Sequence, residues 1–370
     1  MQKIYLDNAA TTPLNPEVIE VMCEQLRDNF GNPSSTHEYG RKARVLLEST
    51  RKQIATSFRC SPSQVLFTSG GSEADNLVLQ NAAQHWGIKR FISSEIEHHA
   101  VLHALDAIKK DNDVAVEYVR INAFGEVDME HLEELLQNSA VPCMVSLMMV
   151  NNEIGNLLNV SGVSALCKEH GALFHSDTVQ GIGHVAFNLE DNPIDFIAAS
   201  AHKFHGPKGV GFAIVPKGRH IEPLIHGGEQ EMGTRAGTEN THSIAGMGKA
   251  LQMALDNFET DREYVSDLKQ YFIEQLRSNL IEIEFNGRSA DPEKSAFHIL
   301  SVRFPKDVPM LLFNLDLNGI SASGGSACQS GSNKGSHVLS AILDEKESEK
   351  TSVRFSFSKH NTRQEIDRVI

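Results

Sequence analysis

Ile194-Asp195-Phe196-Ile197-Ala198-Ala199 runs straight into Ser200-Ala201-His202-Lys203-Phe204-His205-Gly206-Pro207-Lys208-Gly209. The first six residues have the length and apolar texture of a buried strand. The next residues are small or polar, and Gly206-Pro207 breaks the backbone. Lys203 is thereby set at a strand's end with no acidic neighbour in sequence. Desolvation and nearby cations disfavour the ammonium form of such a lysine, leaving an amine that can lose its proton or form an imine. A solvated lysine in a surface turn reads the same way locally, so the rest of the chain decides.

Outward from this stretch, strands and helices alternate. Helices are predicted over 16–30 and 36–58, then strands over 65–68, 91–93, 114–119, 143–150, 172–175, 196–199 and 212–215. Helical stretches at 71–85, 98–110, 128–138 and 161–170 interleave with them. Such alternation predicts an α/β architecture with a mostly parallel sheet, whose ligand site lies at the carboxyl ends of the strands. The polar clusters fall at those ends. After Gly228 the texture changes: a Gly/Glu/Thr-rich loop (227–241) precedes a long helical region to about 280. Strands near 282–286 and 297–304, a helix at 309–318, the Gly/Ser loop 323–336 and an alternating strand at 353–357 follow. The division predicted is a large domain, 13–255, and a small one made of 1–12 and 256–370. The final helix, opening at Asn361-Thr362, stops in mid-pattern at Ile370, which reads as a clipped C-terminus.

Hydrophobic residues make up 40% of the 370 residues and charged ones 22%, an ordinary globular composition. A net charge of −14 argues against nucleic acid or an anionic membrane as partner. No apolar stretch is long enough to span a bilayer, and the first residues carry no signal-peptide pattern. Five cysteines (23, 60, 143, 167 and 328) without a Cys-x-x-Cys pair suit a reduced, cytoplasmic setting. Asn159-Val160-Ser161 matches the glycosylation sequon by chance, given no secretory signal.

Several motifs are ambiguous alone. Ser69-Gly70-Gly71-Ser72-Glu73 joins a strand to a helix, where glycines and free N–H groups favour an anion; an ordinary turn would look alike. Gly181-Ile182-Gly183 superficially fits a dinucleotide fingerprint, but no helix follows before Asn192-Pro193. Asp177 lies past a buried strand, either capping a loop or holding a cation. His98 and His99 start a helix about 100° apart, so only one can face a given ligand. Cys328 sits in Ser323-Gly324-Gly325-Ser326-Ala327-Cys328-Gln329-Ser330, a loop too polar for a core cysteine, whereas Cys143 and Cys167 read as packing.

Together these stretches resemble the cysteine desulfurases of the NifS/IscS-like type, pyridoxal-phosphate (PLP) enzymes of the class V aminotransferase group. The resemblance runs over Tyr5–Thr12, Gly31–Ser35, Thr68–Asn76, Glu97–Val101, Asn151–Gly155, Asp177-x-x-Gln180, Ser200-x-His202-Lys203 with Gly206–Gly209, Arg235–Asn240, Gly325–Cys328 and Arg354–Ser356. It implies an aspartate aminotransferase-like fold (fold type I) and a homodimer. Lys203 would hold PLP and shuttle the Cα proton. Asp177 would pair with the ring nitrogen, and Gln180 would hydrogen-bond the phenolic oxygen. His98 would stack on the ring and act as acid/base, while His99 occupies a variable position. The phosphate would sit on Gly71 and Ser72, helped by Ser200 and His202, with Thr238 supplied by the other subunit. Asn152, counted with the cofactor residues, and Arg354 would bind the substrate carboxylate. Cys328 would take sulfur from L-cysteine as a persulfide, leaving L-alanine, and pass it to a protein acceptor such as an iron–sulfur scaffold or to other sulfur-containing cofactor or tRNA thiolation pathways. No catalytic metal is implied, although Cys328 could ligate an iron–sulfur cluster in transit.

Competing readings are a selenocysteine lyase or cysteine-sulfinate activity on the same scaffold, a metalloenzyme built on His98, His202, His205 and Asp177, and a non-catalytic binding protein.

Overall fold

The structure is a computed structural model describing residues 3–139, 141–324 and 335–370. Its elements follow the alternation in the sequence. They begin with β1 (Ile4–Tyr5), α1 (Pro16–Asp28), α2 (Glu38–Ser57), β2 (Val65–Thr68), α3 (Gly71–Gln84), β3 (Arg90–Ser93) and α4 (His99–Asp111). Next come β4 (Ala115–Tyr118), α5 (Met129–Gln137), β5 (Cys143–Ser146), α6 (Val160–Glu169), β6 (Leu173–Asp177), β7 (Phe196–Ser200), β8 (Gly211–Ile214), α7 (Thr241–Asp256) and α8 (Phe258–Asn279). The remainder is β9 (Glu284–Phe285), β10 (Ile299–Arg303), α9 (Leu311–Leu317), β11 (Ile320–Ser321), β12 (Ser323–Gly324), α10 (His337–Ile342), α11 (Glu345–Ser348), β13 (Ser352–Ser356) and α12 (Arg363–Val369).

The large sheet has the order β2-β8-β7-β6-β5-β3-β4. β3 through β7 pair in parallel, and β8 alone runs against both of its neighbours. With only β8 reversed, the carboxyl ends of β2, β5, β6 and β7 share one edge, which collects the residues that follow them. Both faces of this sheet are covered. In β7, Phe196 and Ala198 pack into one core with Leu66, Phe91 and Met144, while Ile197 and Ala199 join the other with Ile92, Val145 and Phe212. That two-residue alternation, apolar on both sides, is why the strand reads as a continuous hydrophobic run.

A four-stranded antiparallel sheet, β12-β13-β10-β9, forms from the later chain, and β1 pairs in parallel with β11. Its core gathers Ile4, Leu6, Leu300, Val353 and Phe355 around Phe272, whose ring meets Phe355 edge-on at 5.0 Å. The loop after β1 stitches the two sheets together. Ser356 N–H donates to the Leu6 carbonyl at 2.7 Å, Ala9 N–H donates to Ser356 Oγ at 2.8 Å, and Thr12 N–H reaches the His202 carbonyl at 2.9 Å.

Three expectations need correction. β5 ends at Ser146 rather than continuing to Val150. Residues 147–150 stay buried, and Leu147 N–H and Met149 N–H still reach the His175 and Asp177 carbonyls, but Met148 N–H turns to the Glu97 carboxylate at 2.8 Å, and Val150 bridges to Leu157. The helical region after 241 is two helices, broken at Asn257. Residues 337–348 form two short helices that the sequence reading does not anticipate; Ser336 opens the first by accepting from Leu339 N–H at 3.0 Å.

A candidate active site at the carboxyl edge of the large sheet

The shared edge holds a cavity of about 320 Å³. β2 delivers Gly71 and Ser72 at the start of α3, β6 ends on Asp177 and turns to Gln180, and β7 ends on Ser200 before a single 3-10 turn carrying His202 and Lys203. His98, Asn152 and Arg354 complete the predicted set that lines it. Thr238 is exposed and does not line the cavity within this chain. Cys328 lies outside the described residues. His205, needed by the metal-based reading, lines a different cavity and bonds through Nδ1 to the Pro13 carbonyl at 2.9 Å.

Lys203 Nζ donates to the Ala9 carbonyl at 2.6 Å and the Ala10 carbonyl at 2.9 Å. Gln180 Nε2 shares the Ala9 carbonyl at 2.8 Å. The N-terminal loop thus fixes both side chains by backbone oxygens. Asp177, one of three buried carboxylates on this wall with Asp75 and Glu153, is held through Oδ1 by Val179 N–H at 2.9 Å. Burial pushes its pKa up, opposed by His98, the Val179 bond and Lys203. His98 caps α4, accepting from Ala100 N–H at Nδ1 over 3.1 Å, so its remaining proton is on Nε2. Burial lowers its pKa despite Asp177, with Lys203, His337 and His103 adding to the effect, which keeps the ring neutral at neutral pH. His202 is likewise lowered to about 4 by burial and by Lys203 and Lys208.

At the opposite end, no side chain caps α3, leaving its first N–H groups and the helix dipole to an anion. A Cβ on Gly71 would stand 2.4 Å from Val179 Cγ2, so only glycine lets this turn close against β6's exit. Arg354, 3% exposed, donates to the Asn152 carbonyl at 2.7 Å and Asp7 Oδ1 at 2.9 Å, while its Nε has no hydrogen-bond partner among the described residues. A second carboxylate would fit that fork.

The sequence reading misses Asp75, Met148, Glu153, Val179 and His337, and the role of the Ala9 and Ala10 carbonyls, all on the cavity wall. Asp75 carried a signal: it is an acid on the apolar face of α3 beside Ala74, Leu77 and Val78. His337 carried none, since its helix was not expected. Burial raises the thiols of Cys60, Cys143 and Cys167, Cys60 and Cys143 to about 11, which favours the protonated form.

Residues 4–369 match the family described as aminotransferase class-V. Cysteine desulfurase IscS of Dictyoglomus turgidum is 38% identical over 370 residues, 99% of this chain and 92% of that protein. A solved NifS-like protein superposes with a TM-score of 0.91 at 33% identity, over 100% of this chain and 97% of the other. A structure titled SspA in complex with cysteine gives 0.82 at 30%, covering 98% and 100%. By sequence over nearly its full length and by the fold of that NifS-like neighbour, the chain belongs to the aminotransferase class-V family.

Proposed function

We propose that this chain is a PLP-dependent cysteine desulfurase, converting L-cysteine to L-alanine and leaving the sulfur as a persulfide on Cys328. The observation that carries it is the convergence of Lys203, Asp177 and the uncapped start of α3 on one cavity with Arg354. These residues fit the cofactor's donor set: an amine for an aldehyde, a buried carboxylate for a ring nitrogen, and free N–H groups with the Ser72 and Ser200 hydroxyls and the His202 ring for a phosphate. The similarity to a cysteine desulfurase IscS and to a structure titled SspA in complex with cysteine supports the substrate.

When bound, PLP supplies an electron-withdrawing ring that acidifies the substrate Cα–H and loosens the Cβ–S bond. Lys203, whose amine is already oriented by the Ala9 and Ala10 carbonyls, takes the Cα proton. His98, neutral with its proton on Nε2, is poised to exchange a proton on the substrate side. Arg354 Nε, backed by Asp7 and the Asn152 carbonyl, holds the substrate carboxylate. Cys328 as thiolate then attacks the substrate sulfur: the Cβ–S bond breaks, a new S–S bond forms on Cys328, and the carbon skeleton leaves protonated as alanine. A protein acceptor that takes this sulfur and a homodimer in which Thr238 of one subunit reaches the other's phosphate end complete the proposal. So does the division into a large domain, 13–255, and a small one, 1–12 with 256–370.

The test is a visible spectrum with PLP, followed by alanine and sulfide release from L-cysteine under reducing conditions. Lys203→Ala is expected to lose the visible band and turnover together. Cys328→Ser is expected to keep the band and lose sulfide release. A wild-type chain that stays colourless in excess PLP overturns the proposal.

A further inference from the structure

Gln180 presents a carboxamide whose orientation is set from two sides. Its Nε2 faces the Ala9 carbonyl at 2.8 Å, which only accepts, so the amide oxygen must turn the other way. There Oε1 stands 3.4 Å from His298 Nε2. An amide oxygen cannot donate, so the imidazole donates from Nε2 and keeps a lone pair on Nδ1. That Nδ1 is buried with no hydrogen-bond partner.

His298 lies just before β10 in the small sheet's core region, 2% exposed, with its ring stacked on His184 at 3.7 Å between centroids. Charging it is opposed from every side that faces it: by burial first, then by His184, Lys269, Arg354 and Lys203. Lys269 is itself buried, its Nζ on Ser295 Oγ and the Ala296 carbonyl, both at 2.9 Å. A buried neutral imidazole with an orphaned nitrogen is costly where packing alone is needed, because an apolar ring would stack on His184 without it. Among the described residues, the ring's hydrogen bond goes to Gln180 alone.

We propose that His298 is a positioning residue: it locks the Gln180 carboxamide so that the remaining Nε2 hydrogen is offered to the cavity shared with Lys203 and Asp177, and so tunes the ring of a pyridoxal-type cofactor. The inference rests on the cofactor reading above. A steady donor at the ring's phenolic oxygen weakens that oxygen's hold on a neighbouring proton, lowering the pH at which the bound chromophore titrates.

The experiment titrates the visible band of the PLP-loaded protein against pH and measures the PLP Kd, for wild type, His298→Phe, His298→Gln, Gln180→Ala and the Phe/Ala double variant. His298→Phe is expected to raise the titration midpoint by about 0.5–1 unit, the size of one net hydrogen bond, and to weaken PLP binding. His298→Gln, which restores a donor, returns the midpoint towards wild type. Gln180→Ala gives the same shift as His298→Phe, and the double variant adds nothing further, as required if His298 acts through Gln180. If phenylalanine is not accommodated, His298→Met removes the same donor and is read in the same way. An unshifted midpoint, or additive shifts in the double variant, overturns the proposal while the cofactor reading stands. A wild-type chain with no visible band removes both.

Discussion

Asp75 carries the least satisfied carboxylate on the cavity wall: it is 1% exposed, and neither oxygen has a hydrogen bond among the described residues. His175 Nε2 lies 3.4 Å from Oδ1, a distance that suggests an ion pair. Burial argues otherwise, because it lowers His175 to about 3 and raises Asp75 well above the usual carboxylate range, with Asp177 and Glu97 pushing the same way. Burial thus favours the neutral form of both side chains. An acid whose pKa is raised by folding holds its proton in the native state after the unfolded chain has lost it. Its contribution is complete below the unfolded pKa near 4 and is lost as pH climbs towards the folded value. Asp75→Asn keeps the shape and removes this titration. The melting temperature of the cofactor-free variant is expected to overtake wild type as pH rises from 5 to 8, the gap widening by about 2 °C or more. A constant gap across that range would mean that Asp75 is ionised in the fold.

The loop after β1 is the element on which the site's precision depends. Thr12 Oγ1, 5% exposed as a residue, donates to the His202 carbonyl at 2.9 Å and accepts from His205 N–H at 2.8 Å. Its backbone N–H doubles the grip on His202. These bonds brace His205, two residues after the lysine, in a left-handed conformation (φ 65°), unusual for a side chain with a Cβ. Thr12→Val keeps the shape but leaves the His205 N–H unsatisfied. It is expected to cost about 1–3 kcal/mol in urea unfolding and to weaken PLP retention, with Thr12→Ser restoring both. Unchanged PLP retention would show that the loop does not position Lys203. The large sheet was legible because each strand is a short apolar run bounded by breakers, and the residues at their ends inherit its edge. The stitching role of residues 6–12 was not, since backbone carbonyls such as those of Ala9 and Ala10 leave no mark in side-chain chemistry. The early end of β5 escaped for a related reason: residues 147–150 are as buried as a strand, and apolar texture reports burial rather than ladder pairing. His337 reaches the cavity, and His298 reaches Gln180, only through long-range folding, which no local pattern encodes.

At the scale of the whole molecule, one chain builds most of the cavity but leaves Thr238 exposed outside it. The same chain exposes a number of large apolar side chains. Ile19 and Leu26 on α1, Phe30 and Tyr39 with rings 5.0 Å apart, and Val45 on α2 are all solvent-facing, Phe30 at 71% and Val45 at 68%. For a chain of net charge −14, self-association has to overcome like-charge repulsion, and apolar surface of this kind is what could do it. Leu224, Ile225 and Met232 in the 224–238 region are exposed as well. The composite site we propose makes a prediction that no single-subunit site can meet. Lys203→Ala destroys the site built on its own chain. Thr238→Ala is expected to weaken PLP binding about 10-fold or more through the loss of one phosphate hydrogen bond. In a mixed dimer, the Thr238→Ala subunit supplies an intact Lys203 and the Lys203→Ala subunit supplies an intact Thr238, so one of the two sites is fully wild type. Unfolding and refolding the two variants together at equal amounts should therefore return tight PLP binding to about one quarter of all sites, half of the dimers being mixed. Mixing without refolding should return far less. If the refolded mixture binds only as the average of its two parents, Thr238 serves its own chain or no site at all, and the cavity is complete within one subunit.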